Sequence, residues 1–77
     1  MKASSLGEVL AENILLRSQR LGLGLSDLVQ KTGLSRNALW YIRSGHLETI
    51  RFSSLSRISE VLECEPYELL KPIELRR

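Results

Sequence analysis

The segment from Leu25 to Gly45, LSDLVQKTGLSRNALWYIRSG, narrows most sharply what this chain can fold into. It holds two apolar patterns of helical period, separated by three or four residues with Gly33 at the joint. In the first, Leu25, Leu28 and Val29 share one face, while Ser26, Asp27, Gln30 and Lys31 look outward. In the second, a rotation of about 100° per residue puts Ala38, Leu39 and Ile42 on one side and Arg36, Asn37, Trp40, Tyr41 and Ser44 on the other. Gly33 supplies the positive φ that so sharp a turn needs, and Ser35 offers its hydroxyl to a backbone N–H at the start of the second helix. This is the spacing of a helix-turn-helix: one face of its second helix packs and the other is free to touch something.

The flanking sequence completes an all-α domain of five helices in one compact unit over residues 1–77, with a core from about 5 to 71 and a tail over 72–77. The first helix begins near Ser5, where S-L-G-E has capping-box spacing with Glu8, and runs to about Leu21 with Leu6, Leu10, Ile14 and Leu21 on one stripe. Gly22 and Gly24 end it. The second helix covers Leu25–Thr32, with Gly24 or Ser26 as its cap and Asp27 suited to the dipole of its first turn. Gly45 closes the third. The loop HLETIR leads to a fourth helix capped by Ser53 or Ser54, in which Leu55, Ile58 and Leu62 recur at helical spacing and Phe52 is expected in the core. Pro66 fits the first position of a short fifth helix, Tyr67, Leu69 and Leu70 follow, and Pro72 stops it. The tail from Ile73 to Arg77 is expected to fray or dock.

A chain of 77 residues has room for a single modest core, burying roughly 60% of the surface its unfolded form exposes. A separate catalytic domain does not fit. Asp27, His46 and Cys64 are each the sole residue of their type, so no spacing supports a catalytic dyad or triad, and an enzyme is not expected. Cys64 cannot form an internal disulfide and lies far in sequence from His46, so neither a structural metal nor a cofactor is expected. His46 falls in an exposed loop, and Cys64 takes a small apolar position between the fourth and fifth helices. The start, MKASSLGEVLAEN, meets charge before any apolar run of signal-peptide length, and no segment approaches the ~20 apolar residues of a membrane span. The expectation is a cytoplasmic protein with a reduced thiol and no membrane partner.

Net charge is only +2, but its distribution is uneven. Between Arg17 and Arg57 seven cations (Arg17, Arg20, Lys31, Arg36, Arg43, Arg51 and Arg57) face two acids, Asp27 and Glu48. From Ile58 onward Glu60, Glu63, Glu65, Glu68 and Glu74 outnumber Lys71, Arg76 and Arg77. The basic half coincides with the helix-turn-helix, as a phosphate-facing surface requires, and double-stranded DNA is the expected partner.

Three pieces, in order and covering nearly the whole chain, resemble the lambda-repressor-like domains of the Cro and phage-repressor group, also called the XRE family. They are LGLGLSDLVQKTGLSRNALWYIRSG, the run FSSLSRISEVL and the closing ECEPYELL. The resemblance implies that the third helix lies in the major groove while the second crosses the backbone. Carried onto this chain, the base-contacting positions are Arg36, Asn37, Trp40 and Tyr41. Arg36 would fork onto guanine O6 and N7 and Asn37 pair with adenine N6 and N7, each worth about 1–3 kcal/mol of discrimination. For Trp40 and Tyr41 several placements stay open: on thymine methyls or sugars, on a protein, or folded over the seam between the third and fourth helices. Phosphate contacts fall to Arg17, Arg20, Ser35, Arg43, Ser44 and Arg51, with the two serines also readable as caps and the cap preferred for Ser35; Lys31 and Arg57 read as solvated surface.

The chain departs from the family pattern in three places. Gly24 and Leu25 stand where a polar cap and a phosphate-reaching glutamine are usual, and the loop after the third helix carries a single cation, Arg51, behind His46, Leu47, Glu48, Thr49 and Ile50. Leu47 and Ile50 are expected to be exposed there and open to a protein interface. The function implied is a sequence-specific transcriptional regulator, a repressor on a palindromic operator, acting as a homodimer. Candidate dimer residues are Leu47, Ile50, Tyr67, Leu70 and Ile73, although Tyr67 and Leu70 could instead complete the monomer core. The alternative is a protein-interaction module or antitoxin-type partner that uses the same fold and binds DNA weakly.

Overall fold

The computed structural model describes residues 5–73, and its elements are all helical. They are α1 (Leu6–Arg20), α2 (Leu25–Thr32), α3 (Arg36–Ser44), α4 (Phe52–Val61) and a 3-10 helix (Pro66–Leu70). The five-element, all-α architecture is as expected, except that the last element is wound as the tighter 3-10 form. Residues 74–77, most of the expected tail, lie outside the described residues.

Local chemistry sets most of the boundaries. Ser5 and Glu8 form the capping box: the Glu8 N–H donates to Ser5 Oγ at 3.2 Å and the Ser5 N–H to Glu8 Oε1 at 3.0 Å. At the other end of α1, Gly22 turns left-handed (φ 71°) and the Leu23 N–H reaches back to the Ser18 carbonyl at 2.8 Å. Gly24 does not share in that stop. It is extended and caps α2, donating its own N–H to Asp27 Oδ2 at 2.8 Å, which decides the cap against Ser26. Gly33 is left-handed at φ 76°, and Ser35 Oγ accepts the Ala38 N–H at 3.0 Å. The cap of α4 is neither Ser53 nor Ser54. The helix begins one residue after Arg51, which makes no side-chain cap bond.

Leu10, Ile14, Leu28, Leu39, Ile42, Leu55, Ile58, Leu62 and Leu69 form the core. In it α1 packs on α3 and the 3-10 helix, α2 on α3 and α4, and α4 on the 3-10 helix. Cys64 is half-buried against the core's edge, as its position between the last two elements suggested.

Three sequence expectations fail at the edges of this core. Phe52 is 85% exposed, although it lies three residues before the buried Leu55. It is the first residue of α4, and because helical side chains lean toward the N-terminus, its ring projects past the end of the layer that covers Leu55. Leu6 and Leu21 are exposed for a related reason: they lie at or beyond the ends of α1, whose buried set is Val9, Leu10, Asn13, Ile14 and Ser18. Leu47 and Ile50 err the other way. Both are half-buried against the core, because the connection between α3 and α4 folds back onto it.

One buried polar residue ties the end of the fold to its beginning. The two N–H groups of Asn13 Nδ2 are shared among the carbonyls of Val9, Leu69 and Lys71 at 3.0, 3.1 and 3.0 Å, and Asn13 Oδ1 accepts from Arg17 Nε at 3.4 Å. Among the described residues no buried side-chain nitrogen or oxygen lacks a partner.

Candidate nucleic-acid interface

Helix α3 is anchored by Leu39 and Ile42, both buried, and by the Ser35 cap at its start. That anchoring leaves Arg36, Asn37, Trp40 and Tyr41 on the solvent side of the helix. All four predicted base-contacting residues therefore stand together on one exposed surface. Trp40 is 60% exposed and Tyr41 57%, so neither ring has folded into the core.

The two aromatics touch edge to face, with ring centroids 5.4 Å apart and planes at 84°. They serve opposite flanks of the helix. Trp40 lines a shallow crevice with Leu25, Arg43 and Ser44, beside the start of α2. Tyr41 lines a groove on the other flank with Leu47, Ile50 and Arg51 in the following connection. Leu25, which replaces the usual polar residue at the start of α2, thus sits next to Trp40.

Arg36 is not free in solution. Its Nη2 donates to Ser26 Oγ, on the first turn of α2, at 3.1 Å. Ser26, expected only as a cap or an outward residue, meets Arg36 because the turn sets the first residues of α2 and α3 side by side.

The expected phosphate ligands differ in availability. Arg20 and Arg51 are exposed, and Arg43 is half-buried beside Trp40. Arg17 is drawn into the scaffold, its Nη2 3.9 Å from Glu68 Oε2 and its Nε bonded to Asn13. Among the described residues this is the one ion pair, so no other cation of the helix-turn-helix half has a described acid within ion-pair distance. Ser35 spends its hydroxyl on the α3 cap. Ser44 donates to the Tyr41 carbonyl at 2.6 Å and accepts the His46 N–H at 3.2 Å, a local closure of the helix end next to Gly45 (φ 84°).

Of the residues expected at a dimer interface, Tyr67 is 69% exposed, while Leu70 and Ile73 are half-buried. Ile73 lines a cleft with Tyr67 and Leu16. Among the described residues no three His, Cys, Asp or Glu side chains cluster as metal ligands, and no helix is long and apolar enough to cross a membrane.

A short capped helix, held by two apolar anchors and presenting arginine, asparagine and two aromatics from a basic half-domain, defines a helix-turn-helix DNA-binding domain. The family model for the Cro/C1-type HTH DNA-binding domain matches residues 16–74, and the chain belongs to that family. A search of curated proteins returned no match, and neither did a search of solved structures.

Proposed function

We propose that this DNA-binding regulator is a sequence-specific repressor that reads a palindromic operator as a homodimer, α3 entering the major groove of each half-site. The observation that carries the reading is the joint exposure of Arg36, Asn37, Trp40 and Tyr41 on a helix anchored by Leu39 and Ile42. B-DNA's major groove admits an α-helix, and an arginine and an asparagine at its leading end are the side chains suited to guanine and adenine edges. Arg20, Arg43 and Arg51 carry the phosphate contacts, with Arg17 adding less because Glu68 shares it. A single module reads too few bases for useful selectivity, which is the argument for a symmetric pair with recognition helices ~34 Å apart. Tyr67, Ile73 and the flank of Leu47 and Ile50 are the surfaces assigned to pairing. No catalytic role is assigned, in keeping with the family, and the cytoplasm is the compartment this role requires.

Selection of bound duplexes from a random pool tests the reading. An inverted repeat should be recovered, and Arg36→Ala and Asn37→Ala should each relax preference at one position by about 1–3 kcal/mol. Unchanged preference in both variants would refute it. The exposed Trp40–Tyr41 pair favours a second reading, a protein partner held through the same face. That reading gains if no mobility shift on bulk DNA occurs at low salt.

A further inference from the structure

We propose that Ser26 is a positioning residue for base reading: its hydroxyl holds the Arg36 guanidinium in the orientation from which it forks onto a base. The proposal rests on the DNA-reading role given above for Arg36. It starts from the 3.1 Å bond between Arg36 Nη2 and Ser26 Oγ, which joins residues ten apart across the turn. Both side chains are exposed, so the bond fills no gap in the core and satisfies no buried group.

Charge does not account for the contact either. The start of a helix carries the positive end of its dipole, a poor neighbour for a guanidinium. Asp27, the acid in the first turn of α2, directs Oδ2 to the Gly24 N–H at 2.8 Å. The Ser26 hydroxyl is the group that accepts from Arg36. A guanidinium has five N–H donors in one plane, so giving one to Ser26 leaves enough for a two-bond contact with guanine O6 and N7. A free arginine loses rotamer freedom when it binds, whereas one already held loses less, and the gain is confined to the base it faces.

The test compares the native chain with Ser26→Ala, Ser26→Thr and Arg36→Ala. Ser26→Ala should lower preference for the base pair facing Arg36 by about threefold to tenfold, the range of one exchanged hydrogen bond. It should leave the unfolding midpoint, the salt dependence and binding to unrelated duplex unchanged, and Ser26→Thr should restore the preference. In the free protein, nitrogen relaxation at Arg36 Nε should show more motion in Ser26→Ala than in the native chain. Uniform loss of affinity on every sequence with a shallower salt slope would make Ser26 a phosphate ligand and overturn the proposal. So would unchanged preference together with unchanged Arg36 motion. If Arg36→Ala leaves base preference intact, the base-reading role of Arg36 fails first and takes this proposal with it.

Discussion

Gly7 and Leu47 meet backbone to backbone: a Cβ placed on Gly7 would lie 2.5 Å from the Leu47 carbonyl oxygen and 2.9 Å from that of Gly45. The first turn of α1 therefore seats directly on the chain leaving the recognition helix. Neither obstructing atom belongs to a side chain that could swing away. Alanine is normally better than glycine inside a helix by about 0.5–1 kcal/mol, so the sign of Gly7→Ala is diagnostic. We expect destabilisation of about 1–3 kcal/mol, each kcal/mol lowering the thermal midpoint by roughly 4–8 °C. A raised midpoint would show that α1 and the connection can part freely.

Asn13→Ala removes the donor shared by the Leu69 and Lys71 carbonyls and the acceptor used by Arg17. The expected cost is about 1–3 kcal/mol, since the buried Leu69 carbonyl and the part-buried Lys71 carbonyl lose their donor. Hydrogen exchange should accelerate first in the 3-10 helix, ahead of α2 and α3. Equal acceleration throughout would mean that Asn13 supports the whole core and not this junction.

Phe52→Ser separates an exposed ring from a core one. At 85% exposure the substitution should change stability by no more than about 0.5 kcal/mol in chemical denaturation. A buried phenylalanine would cost about 3–5 kcal/mol on truncation, so a loss of that size would contradict the placement.

Trp40→Ala and Arg51→Ala should affect DNA binding differently. Both side chains are exposed, so both variants should unfold at the native midpoint. On DNA, Arg51→Ala should reduce the slope of log affinity against log salt by about 0.9, the counterion term of one phosphate contact. Trp40→Ala should weaken binding while keeping the native slope. Titrations between low and moderate salt distinguish them, and an unchanged slope for Arg51→Ala removes it from the phosphate set.

Burial pushes the Cys64 thiol above its ordinary pKa; Arg17 opposes this and Glu68 and Glu65 add to it. The thiolate is the reactive form, so alkylation of the folded protein near neutral pH should be slower than that of an unstructured cysteine. The rate–pH curve should be displaced to higher pH and return to the ordinary position in denaturant. The folded pKa lies above the unfolded one, so the folded state keeps its full stability below the unfolded pKa and loses some of it as pH rises from there through the folded pKa, where a thiolate must be buried. A folded-state rate matching the denatured rate would contradict the burial of this thiol.

Much of the architecture could be read from neighbouring residues. The capping box of Ser5 and Glu8, the left-handed turn at Gly33 and the Ser35 cap of α3 each depend on side chains within three residues of the backbone they serve. The outward set Arg36, Asn37, Trp40 and Tyr41 follows from helical period once Leu39 and Ile42 are the anchors. The stop of α4 carries no such local mark. Glu63 takes a left-handed φ of 61° there, and the Cys64 N–H bonds back to the Ser59 carbonyl at 3.0 Å. The geometry is that of a glycine-terminated helix, but no glycine marks it.

Local pattern therefore sufficed for the helix-turn-helix and for the face that α3 offers, because period, caps and turn chemistry act over one or two helical turns. It did not suffice for Phe52 and Leu6, left outside, for Leu47 and Ile50, tucked in, or for the meetings of Gly7 with Leu47 and Ser26 with Arg36. Each of these depends on which distant segment lies over a helix end or across a turn. Periodicity ranks positions around one helix axis, but it carries no information about where the neighbouring layer stops.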